Sequence, residues 1–174
     1  MKKTKDLLII TASNGENLKL AQRFLEAGKE LGVECSLLDL TVKALPLYNP
    51  RFHKENGIPE VAISLTEELK ACSRWIICAP EYNGSIPPVL SSAIAWLSVQ
   101  GDNFRDLFNG RPIGIATHSG GGGMEVLLSM RIQLSHLGGQ VVGRQIISTN
   151  QKPAEDKSIN DLLSRILQMS PLKL

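Results

Sequence analysis

Short apolar runs separated by polar loops recur along this chain. Five of them have the length of a strand and lie at residues 7–10, 33–40, 75–79, 112–117 and 140–147. Such runs are typical of strands buried on both faces of a parallel sheet, where polar and apolar positions need not alternate. The pattern therefore predicts five strands.

Stretches with helical periodicity follow most of the apolar runs. After the first run, one helix face is apolar and the other polar, with Leu18, Ala21, Phe24, Leu25 and Gly28 on the first and Lys19, Gln22, Arg23 and Glu26 on the second. Further helices are predicted at 61–71, 88–97, 124–137 and 156–168. Residues 41–59 contain three prolines and are expected to be irregular.

The alternation of strand and helix predicts a three-layer α/β fold. Strands joined by helical crossovers pair in parallel, and right-handed crossovers place helices on both faces of the sheet. With about five strands, the flavodoxin-like order 2-1-3-4-5 is the simplest arrangement. Residues 1–174 contain no internal repeat and no low-complexity tract, so we expect a single domain.

The amino-acid composition of the chain argues against two classes of binding partner, nucleic acids and membranes. Hydrophobic residues make up 43% of the chain and charged residues 21%, as in soluble globular proteins, and the formal net charge is +2. No predicted helix face carries a run of Lys or Arg, so nucleic acid is not an expected partner. Lys2, Lys3 and Lys5 are interpreted as a solvated lead-in. No apolar stretch approaches the roughly 20 residues that span a bilayer, so no membrane partner is expected.

The cysteines indicate the compartment. Cys35, Cys72 and Cys78 form no CxxC pair and no even-numbered set, and we interpret them as buried free thiols in a reducing, cytoplasmic environment. The chain contains neither an HExxH motif nor clustered His and Cys residues, so no metal site is predicted.

The loop after the third apolar run is rich in residues that restrict the backbone. Pro80 ends strand pairing, Asn83-Gly84 is a turn signal, and Pro87-Pro88 fit only the first turn of a helix. One interpretation is an ordinary strand-to-helix connection. The other is a rigid binding loop, because its N–H groups at the carboxyl end of a buried strand suit a flat ring with polar edges.

The loop after the first apolar run is small and polar and leads into a helix. Free N–H groups at a helix N-terminus attract anions, and Ser13, Asn17 and Lys19 could add side-chain contacts. Capping of the helix by Ser13 or Asn17 is the alternative. The loop matches neither GxGxxG nor GxxxxGK[ST], which disfavours a dinucleotide fingerprint and a P-loop.

Four consecutive glycines follow the fourth apolar run. A structural turn needs one or two glycines, so the stretch from Gly120 to Gly123 suggests a bulky, flat group close to the main chain. A flexible linker or mobile lid is the alternative. His118 precedes this stretch, and its ring is either a donor to a ligand or a satisfied structural group.

Three loops thus follow the first, third and fourth strands. In the order 2-1-3-4-5 they share the carboxyl edge of the sheet, around the switch point between strands one and three. A phosphate attached to a flat heteroaromatic ring fits this arrangement, and FMN is such a molecule. The segment Leu45-Pro46-Leu47-Tyr48-Asn49 is a surface loop, a wall of the cleft or a subunit contact.

These residues also carry a resemblance to a known family. The run Pro80-Glu81-Tyr82-Asn83-Gly84-Ser85-Ile86-Pro87, followed by Leu90, Ala93, Ile94 and Trp96-Leu97-Ser98, resembles the signature of the NAD(P)H-dependent FMN reductases, which include quinone, azo-dye and chromate reductases. The resemblance extends over nearly the whole chain, and residues 45–49 match a family loop. One departure is the first loop, which is about two residues short and lacks the usual Arg after a Gly-Ser pair.

The resemblance implies a cofactor site. The isoalloxazine ring of FMN would be lined on one side by Pro80, Glu81, Tyr82, Asn83 and Gly84 and flanked on the other by His118, Ser119, Gly120, Gly121, Gly122 and Gly123. The phosphate would be held by Ser13, Asn17, Leu18 and Lys19.

The resemblance also implies an activity. NADH or NADPH, as a transient co-substrate, would pass a hydride to FMN, which reduces a second acceptor such as a quinone or free flavin in a ping-pong cycle. The flavin carries the chemistry, so no catalytic side chain is assigned, and a dimer or tetramer is expected. A flavodoxin-type electron carrier is the alternative, although such carriers are usually acidic. A binding module that has lost FMN is a third hypothesis.

Overall fold

The computed structural model describes residues 6–103 and 105–173. Five strands form one parallel sheet in the order β2-β1-β3-β4-β5, which confirms the predicted topology. The strands are β1 (Leu7–Thr11), β2 (Cys35–Asp39), β3 (Trp75–Cys78), β4 (Pro112–His118) and β5 (Gln140–Ser148). Lys2, Lys3 and Lys5, interpreted above as a solvated lead-in, lie outside the described residues.

Six helices are described around the sheet. They are α1 (Glu16–Glu30), α2 (Pro50–Asn56), α3 (Glu60–Lys70), α4 (Pro88–Ser98), α5 (Met124–His136) and α6 (Asp156–Gln168). Apolar side chains of α1 and α6 pack on one face of the sheet, and those of α3, α4 and α5 pack on the other. The expected three-layer fold is therefore confirmed.

Alternate residues of the central strands point to the two layers. In β3, Trp75 and Ile77 enter the core under α3, α4 and α5, whereas Ile76 and Cys78 face α1 and α6. All four side chains are buried, which explains why this strand has no polar position. The central strands are thus held rigidly from both sides, and their carboxyl ends provide a fixed base for the loops.

The prediction for residues 41–59 is wrong in part. The segment begins within a short 3-10 turn, Leu40–Val42, and contains the helix α2. The side chain of Asn49 caps α2 by accepting hydrogen bonds from the backbone N–H groups of Arg51 and Phe52, and Pro50 occupies the first turn. Asn at the cap followed by Pro in the first turn is a helix-start signal. The prediction overlooked it because it treated the prolines of this segment only as helix breakers.

The same segment is fastened to α4. Trp96 Nε1 donates to the Pro46 carbonyl at 2.8 Å, and the Tyr48 N–H donates to Ser92 Oγ at 2.8 Å. The rings of Tyr48 and Phe52 meet the Trp96 ring edge-on, with centroids 5.0 and 6.2 Å away. Residues 46–52 are therefore an ordered part of the surface on this side of the sheet.

One strand begins two residues later than the sequence predicts. β2 is predicted from residue 33 and begins at Cys35, because Val33 instead closes α1 through a hydrogen bond from its N–H to the Gly28 carbonyl. No helix in the described part of the chain is long and apolar enough to cross a membrane. Cys72 and Cys78 are buried, as expected, whereas Cys35 is partly exposed, and none of the three forms a disulfide with another described residue.

Candidate functional site

The loop after β3 is built around a tight two-residue turn. Asn83 and Gly84 both have positive φ, 51° and 69°, which this kind of turn requires. Tyr82 and Ser85 exchange two backbone hydrogen bonds, of 3.0 and 2.9 Å, across it. Within residues 6–103 and 105–173 no hydrogen bond uses the N–H groups of Glu81, Asn83 or Gly84. The turn therefore presents fixed donors at the carboxyl end of β3.

The loop after β1 leaves the start of α1 without a side-chain cap. Gly15 occupies the cap position, and Ser13 Oγ instead accepts from the Gly15 N–H at 3.1 Å. The N–H groups of Leu18 and Lys19 both donate to the Gly15 carbonyl. Neither Ser13 nor Asn17 caps the helix, so the first-turn donors remain directed at the carboxyl edge of the sheet.

Asn17 ties this loop to the end of β4. Its side chain is 2% exposed. Its Nδ2 donates to the His118 carbonyl and its Oδ1 accepts from the His118 N–H, both at 2.8 Å. Because one N–H of the amide and its oxygen are both bonded to His118, the Asn17 side chain first serves to join the two loops, and its backbone N–H remains available to an anion.

Lys19 is turned toward a neighbouring acid. Its Nζ lies 2.6 Å from Glu16 Oε1, and both side chains are largely exposed. The hydrogen bond from Lys19 is the main cause that lowers the pKa of Glu16. The positive charge that the sequence offers to a phosphate is therefore partly neutralised within the first turn of α1.

The glycines of the loop after β4 divide into two kinds. Gly123 needs its lack of a side chain, because its φ is +71° and an added Cβ would lie 2.9 Å from Thr117 Cγ2. Gly120, Gly121 and Gly122 lack a positive φ, and an added Cβ would meet nothing closer than 3.8 Å. The packing of the chain therefore gives no reason for three glycines here, because Gly120 faces open space and a Cβ on Gly121 or Gly122 would make only ordinary contacts.

Glu81 faces this glycine loop from the other side. Its Oε1 lies 4.0 Å from the position that a Cβ on Gly121 would occupy. Its Oε2 is shielded from solvent and has no hydrogen-bond partner among the described residues. A buried oxygen without a partner costs roughly 1–3 kcal/mol, so this atom suits a ligand that brings a donor.

Side chains at the end of β4 connect it to the ends of the two neighbouring strands. Thr117 Oγ1 donates to the Ala79 carbonyl at 2.7 Å, which joins the ends of β4 and β3. The ring of His118 bridges Ser148 Oγ through Nδ1 and Asn150 Oδ1 through Nε2, at 3.2 Å each. The ring is thus a bound structural group, and its main chain joins Asn17.

Sequence reasoning missed these supporting residues. Thr117 carried a usable signal, since it is a hydroxyl residue at the end of an otherwise apolar strand. Ser148 and Asn150 carried no such signal, because nothing in the sequence indicates that the end of β5 reaches the His118 ring.

The structure brings most of the predicted site residues to one edge. Asn17 contacts His118 directly, and Glu81 lies opposite Gly121. Tyr82, with 54% of its surface exposed, stands at the outer side of its turn. The Lys19 side chain pairs with Glu16, and the Leu18 N–H is used within the helix. The loops after β1, β3 and β4 therefore lie together at the carboxyl edge of the sheet, around a region called the crevice below, and its use as a binding site stays a prediction.

Cys78 is the last residue of β3 and is fully buried in the core that faces α1 and α6. Burial raises the pKa of its thiol far above the usual range, so the thiol stays protonated and is a poor nucleophile. A covalent route through this cysteine is therefore disfavoured.

The residues present fit FMN. The main chain at Gly120–Gly122 carries no side chain that would block a flat ring, the unpaired Glu81 oxygen and the donors of the Asn83-Gly84 turn suit its polar edges, and the uncapped start of α1 suits its phosphate. A five-stranded sheet in the order 2-1-3-4-5 with this crevice at its switch point defines a protein of the flavodoxin-like class.

Comparison with known proteins narrows the class. A model of the NADPH-dependent FMN reductase family matches residues 6–153. The quinone reductase of Escherichia coli (strain K12) is 30% identical over 133 residues, covering 75% of this chain and 66% of that protein. The 2-hydroxy-1,4-benzoquinone reductase of Burkholderia sp is 30% identical over 110 residues, 63% and 55% of the two chains.

A solved structure supports the same assignment of fold. FerB, a flavoenzyme NAD(P)H:(acceptor) oxidoreductase from Paracoccus denitrificans, aligns with a TM-score of 0.75 and 17% identity, over 95% of this chain and 96% of FerB. The chain belongs to the NADPH-dependent FMN reductase family of oxidoreductases.

Proposed function

We propose that this protein is an NAD(P)H-dependent FMN oxidoreductase that reduces a small-molecule acceptor such as a quinone. Bound FMN would supply the redox chemistry, taking a hydride from the nicotinamide and reducing the acceptor in a ping-pong cycle. Family membership supports the oxidoreductase class, and the quinone reductase names of the two relatives support the acceptor class.

The glycines at 120–122 carry the proposal. Neither φ nor packing requires them, since an added Cβ would meet nothing closer than 3.8 Å at any of the three. Replacing such glycines with alanine would stabilise the protein, because it would restrict the unfolded chain. Three of them in a row therefore favour a function in which a ligand closely approaches the backbone. A flat ring resting on the main chain is such a function.

The other residues of the crevice would position and hold the ligand. The N–H groups of Asn83 and Gly84 would stabilise negative charge on the reduced ring, because they are fixed before it binds. The free first-turn N–H groups of α1 would hold the phosphate, in place of the family's usual Arg. Tyr82 would shape the entrance for the nicotinamide and the acceptor, since it is exposed beside the turn.

We also propose that the protein self-associates as a dimer or tetramer through residues 46–52. Leu47 and Phe52 are apolar and 73% and 38% exposed, although the main chain that carries them is fixed to α4. An ordered surface that presents apolar side chains is suited to a protein contact.

One experiment tests the activity. The visible spectrum of the purified protein is recorded with and without added FMN, and NADPH or NADH is then added in the absence of oxygen. Rapid bleaching of bound flavin supports the proposal. Bound flavin that neither nucleotide reduces would indicate an electron carrier, and a failure to take up flavin would indicate a protein that no longer uses it.

A further inference from the structure

Glu81 has a carboxylate oxygen without a hydrogen-bond partner, and it lies where the loop after β3 faces the loop after β4. Its Oε2 is buried without a partner, and its Oε1 lies beside Gly121 of the opposite loop. A carboxylate only accepts hydrogen bonds, so the atom can be satisfied only by a donor.

Four neighbouring main-chain positions have no N–H group to spare for this oxygen. The Gly121 N–H donates to Ser119 Oγ at 3.1 Å, and the Tyr82 N–H donates to the Ser85 carbonyl at 3.0 Å. The Ala79 N–H donates to the Ala116 carbonyl at 3.1 Å, and Pro80 has no N–H. No donor among the described residues is bonded to Glu81 Oε2, so water or a ligand would have to supply one.

We propose that Glu81 Oε2 accepts a hydrogen bond from the N3–H group of the bound isoalloxazine ring, which makes Glu81 a specificity-determining residue. The inference rests on the proposed function. The oxidised ring carries a single N–H group, at N3, so this group is the donor that the ring can offer to Glu81. Glu81 would select rings that bear this donor and leave its oxygen unpaired with rings that do not.

The test compares FMN with 3-methyl-FMN, in which a methyl group replaces the donor. Dissociation constants are measured by quenching of flavin fluorescence in the wild type and in Glu81→Gln and Glu81→Leu. The wild type should bind FMN at least about tenfold more tightly than the methylated ring, as expected for a hydrogen bond to a charged group. Glu81→Leu should abolish most of that difference, and Glu81→Gln, which keeps an acceptor, should retain part of it.

A second readout does not depend on the variants. In the wild type bound to 15N-labelled FMN, the N3–H proton should be visible by NMR and protected from exchange with water. A rapidly exchanging N3–H would overturn the proposal, because it would mean that water satisfies Glu81.

The outcomes separate this inference from the function on which it rests. Equal affinity of the wild type for the two flavins, or an undiminished difference in folded Glu81→Leu, would overturn the role of Glu81 and leave FMN binding intact. No binding of FMN by the wild type would overturn both. Thermal unfolding of each variant shows whether it is folded.

Discussion

At the scale of single residues, the site depends on what Gly121 and Gly123 each do. Gly121 lies where a Cβ would meet only ordinary contacts, whereas Gly123 has a positive φ and no room for a Cβ. The same residue type is therefore required by backbone geometry at one position and is not required by packing at the other, two residues apart.

Replacing each glycine with alanine should separate these roles. Gly121→Ala should leave stability unchanged or raise it by about 0.4–1 kcal/mol, since it restricts the unfolded chain. It should also weaken FMN binding about tenfold or more, because the methyl group projects into the space for the ring. Gly123→Ala should lower stability by about 1–3 kcal/mol. Urea unfolding and FMN titration measure both effects, and unchanged FMN affinity in Gly121→Ala would contradict the site.

Glu16 should oppose phosphate binding. In Glu16→Gln, Lys19 loses its ion-pair partner and becomes available to an anion at the start of α1. We expect FMN to bind about twofold to fivefold more tightly, a modest gain because the pair is exposed to solvent.

Riboflavin, which lacks the phosphate, is the control for Glu16→Gln. Its affinity should not change, and the gain for FMN should shrink as salt is added. An equal gain for both flavins would show that Lys19 does not act through the phosphate.

At the scale of elements, the crevice depends on the contact between α1 and β4. Asn17 makes this contact from a buried position through two hydrogen bonds to His118. Sequence reasoning predicted Asn17 as a phosphate-binding residue but could not identify its structural partner, which lies 101 residues away along the chain.

Asn17→Ala should therefore destabilise the whole fold. It removes both hydrogen bonds and leaves the His118 N–H and carbonyl buried without partners, which we expect to cost about 2–4 kcal/mol. Gln22→Ala, at an exposed position of the same helix, is the matched control and should change stability by less than about 0.5 kcal/mol. The free energy of unfolding in urea measures both, and equal values would rule out this contact as a major support.

Much of the fold could be predicted from the sequence, for identifiable reasons. Buried strands such as β3 are short apolar runs, and α6 was predicted with its observed bounds because its apolar stripe is regular. α2 was missed because its start is encoded in one cap, Asn49, within a segment rich in proline. The three site loops followed from topology, but the direction of Lys19 and the contacts of His118 depend on packing between distant segments.

At the scale of the whole molecule, residues 46–52 form the proposed contact between subunits. Leu47→Lys should shift the protein toward monomer, because it places a charge in a contact that excludes water. Ile132→Lys, on the exposed face of α5, is the matched control, since Ile132 and Leu47 are similarly exposed, at 71% and 73%. Sedimentation velocity reports the mass of each variant.

The control also locates the contact. Dissociation by Ile132→Lys but not by Leu47→Lys would move the interface to α5. A wild type that sediments as a monomer at all concentrations would contradict self-association.

The central claim is that three loops at the carboxyl edge of the sheet bind FMN together, and amide chemical shifts test it most directly. During titration of 15N-labelled protein with FMN, the largest shifts should fall in residues 13–19, 81–85 and 118–123. The amino ends of the strands, near Leu7, Trp75 and Pro112, should remain unchanged. Saturable shifts centred on another surface, with these three loops unaffected, would contradict the account.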